Sequence, residues 1–239
     1  MDLFEAAKEG DIGIIKSLVE SGADINEIRT FDSMVWTFCP IYVACKFRQI
    51  DAVTELIGLG CRLDFTGTRV INPISGLAYE RDEQYQNTRD IGILDILITN
   101  GCPVSSHMNP DITFTFVNRT LINQAVITEN FLLAKKLVDY GSEINEETFD
   151  WILGQGDDDF INHFIGHGCD INAKDRKGKT RLMNHNINWN TTIIRKLLRH
   201  GADPNICDKN GYSVLNSDKY LDNSTKSFIK MCLKELGKN

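Results

Sequence analysis

Three groups of side chains in this sequence have the types and spacing to do chemistry. His163 and His167 stand four apart with Cys169 just beyond, which would place two imidazoles on one helix face with a thiol nearby. A closed zinc site takes four nitrogen or sulfur ligands. No second cysteine or histidine pair of matching spacing supplies the fourth, so the pair reads as helix surface. Asp157, Asp158 and Asp159 raise calcium, but the alternating oxygen ligands and closing glutamate of a calcium loop are missing. Three acids in a row suit the first turn of a helix, where the dipole favours negative charge. The third group is the lysine- and arginine-rich stretch after Ala173, which invites nucleic acid. Its lysines alternate with an apolar core pattern and the rest of the chain is acidic, so no nucleic-acid partner is expected. There is no phosphate-binding loop, nucleophile elbow or H-E-x-x-H helix. The expectation is a protein that is not an enzyme, with no catalytic residue, no cofactor and no metal.

What positions these residues is a pattern that returns down the whole chain. Its clearest copy runs from Ile12 to Asn26, where Leu18 and Val19 precede Gly22 and Ala23-Asp24-Ile25-Asn26 follow. Leu56-Ile57 before Gly60, Leu97-Ile98 before Gly101, Leu137-Val138 before Gly141, Phe164-Ile165 before Gly168 and Leu197-Leu198 before Gly201 repeat it. Each copy reads as an amphipathic helix, a glycine cap where positive φ is required, and an extended turn. An alanine lies sixteen residues before three of these glycines, as Ala6, Ala44 and Ala125. In the third copy the interval from Ala78 to Gly101 is twenty-three residues, so about seven extra residues have entered there.

The residues Cys39-Pro40-Ile41-Tyr42-Val43-Ala44, Asn72-Pro73-Ile74-Ser75-Gly76-Leu77-Ala78 and Thr120-Leu121-Ile122-Asn123-Gln124-Ala125 resemble the T-P-L-H-x-A signature of ankyrin repeats, with L-L-x-x-G-A-D-x-N closing each unit. Asp175 to Leu182 and Asp208 to Leu215 keep the D-x-x-G-x-T-x-L type of opening. The resemblance covers essentially the whole chain and implies an all-α ankyrin-repeat solenoid of about seven helix–turn–helix repeats, with finger-like turns and one hairpin arm. The closing glycines are separated by 38, 41, 40, 27 and 33 residues against a family period of about 33. The array is therefore divergent. A single domain over 1–239 is expected, with repeats at 1–27 (an N-terminal cap), 28–65, 66–104, 105–145, 146–172, 173–205 and 206–239 (a lysine-rich C-terminal cap).

Composition agrees: the 239 residues are 42% hydrophobic and 25% charged, enough for a continuous core. No apolar run approaches a membrane span and the first residues lack a secretory signal, so no membrane partner is expected. Of seven cysteines, Cys61, Cys102 and Cys169 fill the slot that Ala23 and Ala202 fill elsewhere, which points to buried thiols and a reducing cytoplasm, the producer's own or a host cell's. Charge is unevenly spread. Residues 1–104 carry −7, 105–172 carry −8 and 173–239 carry +8, within a net charge of −7. Such an asymmetry bears on partner choice and association rate.

The resemblance implies a protein-binding module, and the expected function is a stand-alone binder or inhibitor that holds a protein partner on its concave face. The acidic repeats would meet a basic surface, with the chain a monomer. An immunity protein that neutralises a basic toxin and a pathogen or viral effector acting on host proteins are the competing settings; an enzyme with a cryptic site in the insertions is the reading from another class. Candidate contacts are chosen by residue type and expected exposure. They are Phe31, Met34 and Trp36 on the first finger, Arg48 in place of the usual glycine between helices, Arg81 and Tyr85 on the 79–89 insertion, Phe114 and Phe116 on the hairpin arm, and Trp189 in a helix–helix turn. For the first finger the alternative is that Phe31, Trp36 and Phe38 fold back on the first helices.

Overall fold

A computed structural model describes residues 1–30, 37–66, 68, 70–78, 88–104, 120–184 and 191–237. The chain divides into two compact units, Met1–Thr148 and Phe149–Asn239.

In the first unit, short helices alternate between two layers. Helices α1 (Leu3–Glu9) and α2 (Ile12–Glu20) form the opening pair, followed by α3 (Pro40–Lys46) and α4 (Ile50–Gly58). A 3₁₀ segment, Pro73–Ala78, then stands where a first helix is expected, ahead of α5 (Thr88–Thr99); α6 (Leu121–Ile127) and α7 (Phe131–Asp139) complete the unit. α1 packs on α3, α3 on the 3₁₀ segment and that segment on α6, while α2, α4, α5 and α7 form the second layer. The repeating alanines explain the close approach: Ala6, Ala44 and Ala125 are fully buried and Ala78 is 1% exposed. Gly76 continues the theme, since a Cβ there would meet the Lys46 backbone nitrogen at 2.9 Å.

Local chemistry sets where these helices start and stop. Asp2 caps α1 by accepting from Glu5 N–H (2.9 Å), and Glu5 accepts from Asp2 N–H (3.0 Å), a reciprocal box worth about 1 kcal/mol. Asp11, Thr120 and Asn130 cap α2, α6 and α7 through their side-chain oxygens, and Pro40 opens α3 with its φ already set. The closing glycines 22, 60, 101, 141, 168 and 201 take φ of 94, 87, 91, 84, 97 and 100°, the left-handed cap that the repeated spacing implies.

The second unit contains most of α8 (Glu146–Gln155), then α9 (Asp158–Gly166), a 3₁₀ turn at Arg181–Met183, α10 (Thr191–Arg199) and α11 (Asn223–Glu235). α10 packs on α11. Lys196 of α10 donates to the carbonyls of Leu153 (3.0 Å) and Gly156 (2.7 Å), satisfying acceptors that the end of α8 leaves open. The two D-x-x-G openings fold alike. Asp175 accepts from Lys177 and Lys179 N–H (both 2.8 Å) and Asp208 from Asn210 and Tyr212 N–H (2.8 and 3.0 Å), with Gly178 and Gly211 at φ 79 and 82°.

Neighbouring repeats are stapled by an asparagine four residues after the closing glycine. Asn26 accepts from Arg62 N–H (2.6 Å); in the second unit Asn172 accepts from Asp203 N–H (2.8 Å) and donates to the Gly201 carbonyl (3.1 Å). Asn145 departs from the pattern and accepts from Thr148 N–H (2.7 Å) at the start of α8. Among the described residues, no helix is long and apolar enough to cross a membrane.

Candidate protein-binding surface

The first finger begins as a two-stranded ribbon, β1 (Arg29–Thr30) and β2 (Thr37–Phe38), antiparallel with Arg29 opposite Phe38. Thr37 also accepts from Ile71 N–H (2.9 Å), so the next repeat's lead-in continues the ribbon. The base of the finger is bound to α1. Arg29 donates to Asp2 (2.6 Å) and Glu27 (3.0 Å), and its guanidinium lies 4.0 Å from the Phe4 ring centroid. A backbone bond from Glu5 and the Arg29 contact together hold the Asp2 carboxyl below its ordinary range. Phe38 packs edge-on against Phe4 (centroids 5.5 Å apart, 87°) and near Tyr42 (6.2 Å). The Phe38 ring thus folds back on the first helices. Phe31, Met34 and Trp36 lie outside the described residues, as do Arg81, Tyr85, Phe114, Phe116 and Trp189.

Arg48 is described, and it faces inward. It holds φ 57° at the reversal between α3 and α4, the left-handed position where glycine is usual, and is 9% exposed. Its Nε donates to Asp90 Oδ1 (3.0 Å), a carboxylate of α5 that is fully buried, and Nη1 donates to the Lys46 carbonyl (3.0 Å). Asn130, the α7 cap, donates to the other Asp90 oxygen (2.8 Å) and accepts from Leu133 N–H (3.1 Å). One buried polar node therefore ties three successive repeats together. The expectation of a partner contact at Arg48 meets a physical reason against it: a guanidinium that serves a buried carboxylate is not free for an outside surface. The side chain left outside is its neighbour Phe47, 43% exposed, with Lys8 Nζ 5.3 Å and Lys46 Nζ 6.0 Å from its ring centroid. A lone apolar residue before the reversal was the only signal for it. Nothing local marks Arg48 as internal, because Asp90 lies forty-two residues away.

Of the other groups with chemical potential, the acidic triple is used structurally. Asp157 caps α9 by accepting from Phe160 N–H (2.8 Å), and Asp158 bridges Arg199 (2.5 Å) and His200 Nε2 (3.0 Å), which hold its carboxyl below the usual range. The acidic triple thus belongs to a helix start. His163 and His167 stack on each other, centroids 4.5 Å apart, with His167 Nδ1 2.8 Å from the His163 carbonyl oxygen. Of the three thiols expected to be buried, Cys102 is, while Cys61 and Cys169 are only half-buried. Loss of solvent still pushes the thiols up, to about 11 for Cys39 and Cys169 and about 12 for Cys61 and Cys102, so none of these four is poised as a thiolate nucleophile.

Met1–Thr148 carries 22 acidic and 12 basic residues, a net charge of −10; Phe149–Asn239 carries 11 and 14, a net charge of +3.

No protein-family model matches the chain. A putative ankyrin repeat protein of fowlpox virus is 34% identical over 113 residues, 46% of this chain and 26% of that protein. Human mitochondrial disaggregase is 44% identical over 48 residues, 20% of this chain and 7% of that protein. The chain thus spans about a quarter or less of the curated relatives it matches. Among solved structures, the human ASB11 ankyrin repeat domain superposes with a TM-score of 0.61 at 16% identity, covering 97% of both chains. The ankyrin repeat domain of Bcl-3 superposes with a TM-score of 0.64 at 15% identity, over 96% of this chain and 98% of that one. The repeated helix pairs, the left-handed glycine caps and these superpositions agree: the chain is built of ankyrin repeats and has the ankyrin-repeat fold.

Proposed function

We propose that this protein works by binding another protein, and that Met1–Thr148 presents the surface for a basic partner. The single observation that carries the reading is the net charge of −10 on a unit whose fold is that of ankyrin repeats. A surface of one sign accelerates encounter with the opposite sign and rejects like-charged competitors. Exposed Phe47 and Ile28, at 43% and 52%, offer apolar area beside that charge. Holding or inhibiting a partner needs no catalytic group. The fowlpox match supports a viral setting, in which the partner is a host protein in the cytoplasm.

The test is tagged capture from the source-cell lysate at low and moderate salt, with cross-linking and mass spectrometry to map the contact. The reading expects one stoichiometric basic protein, cross-linked to residues of Met1–Thr148 and lost as salt rises, because screening weakens exposed charge pairs. A partner cross-linked only to Phe149–Asn239, or one indifferent to salt, would overturn it.

A further inference from the structure

The second unit carries a groove of about 600 Å³ between the turn Gly201–Asn205 and α11. Pro204, Leu215 and Leu233 give it an apolar floor, and Lys230 and Lys234, one helical turn apart and exposed, stand along its rim. These lysines differ from the other cations of the same helix pair. Lys226 is bonded to Asp218 and Arg195 to Glu235 (2.6 Å), whereas among the described residues neither Lys230 nor Lys234 has a bonded partner. One carboxylate, Asp203, also lines the groove, and its Oδ1 accepts from the Asn205 N–H (2.8 Å) and side-chain amide (3.1 Å). Glu235 on the same helix is matched by Arg195, and the two lysines outnumber Asp203, whose carboxylate meets neutral amides, so the net charge lining the groove is positive.

We propose that this groove docks a short segment of a partner protein with apolar side chains on one face and carboxylates on the other. Apolar side chains would cover Pro204, Leu215 and Leu233, and two carboxylates one turn apart would meet Lys230 and Lys234. Helix-in-groove recognition works in this way, with anchors at helical spacing supplying the apolar area and rim charges setting orientation. The site belongs to the second unit and is opposite in sign to the net charge of Met1–Thr148, and stands or falls separately.

The test uses the full chain and a fluorescein-labelled peptide LEELLEELLEEL, with polyglutamate of the same length and LKKLLKKLLKKL as comparisons. Anisotropy titration should show binding of the first peptide alone. Nuclear magnetic resonance shifts should be confined to residues 201–205, Leu215 and α11. Lys230→Glu with Lys234→Glu should weaken binding at least about tenfold while leaving the melting temperature unchanged; Lys230→Gln with Lys234→Gln should weaken it less, and serves if the reversed pair disturbs the fold. Undiminished binding by folded variants, equal binding of polyglutamate, shifts in Met1–Thr148, or no binding by the parent chain would each overturn the proposal.

Discussion

Replacing Arg48 tests the buried node that joins three repeats. The Arg48–Asp90 pair is 9% and 0% exposed, with N···O 3.0 Å, and Asn130 supplies the second hydrogen bond to the carboxylate. Arg48→Ala leaves a buried carboxylate with its main cation removed, a loss of about 3–5 kcal/mol. Alanine also keeps the cost of a left-handed residue, which is about 1–2 kcal/mol. Arg48→Gly relieves that cost, so it should be less damaging than Arg48→Ala by about 1 kcal/mol or more. Arg48→Gly combined with Asp90→Leu removes both charges and should recover most of the remaining loss, as exchange of a buried pair for apolar groups often does. Equilibrium unfolding in urea followed by circular dichroism gives the three values. Hydrogen exchange should show the loss concentrated in α4, α5 and α7, because repeats communicate through their neighbours. If Arg48→Ala costs less than about 1 kcal/mol, the value of an exposed pair, or if the double variant is no better than Arg48→Gly, the node is not what holds these repeats in register.

Three further outcomes are expected. Gly141→Ala should cost about 1–2 kcal/mol in urea unfolding, purely through its φ of 84°, since a Cβ there meets nothing within 4 Å. A neutral result would show that the turn can change conformation. Asn172→Ala removes two bonds between turns and should lower stability by about 1–2 kcal/mol; Asn205→Ala, whose amide meets only its own turn among the described residues, should cost less. The Tyr220 hydroxyl, foremost, with Lys219 and two backbone N–H groups, holds the Asp208 carboxyl well below the usual carboxylate range. Its contribution to stability is therefore complete above the ordinary carboxylate value of about 4 and is lost as the pH falls below it. The melting temperature should drop between neutral and strongly acid pH, and Asp208→Asn should flatten that drop; an unchanged slope would remove Asp208 from the acid response.

The repeat, its period and its caps were legible in the chain because they are local. A glycine at the end of an apolar helical stripe has one economical conformation, so Gly22, Gly60, Gly101, Gly141, Gly168 and Gly201 mark six left-handed caps in the sequence itself. Alanines in fixed phase marked the repeat in the chain, and the stacked helices show why they are small, since Ala6, Ala44 and Ala125 are fully buried. Asp157 to Asp159 announced a helix start rather than a metal loop. Arg48 could not be placed in this way. As a charged residue in a turn it reads as surface, and only the stacking of α5 beside α4 brings Asp90 beneath it. The 3₁₀ segment at Pro73–Ala78 was equally hidden, since its sequence carries the same signature as the α-helical copies. The groove beside α11 depends on which lysines find carboxylates and which do not, as Lys226 does and Lys230 does not. Local backbone preferences and apolar period are written along the chain and decide the fold; which charges meet across repeats depends on distances that exist only once the helices have stacked.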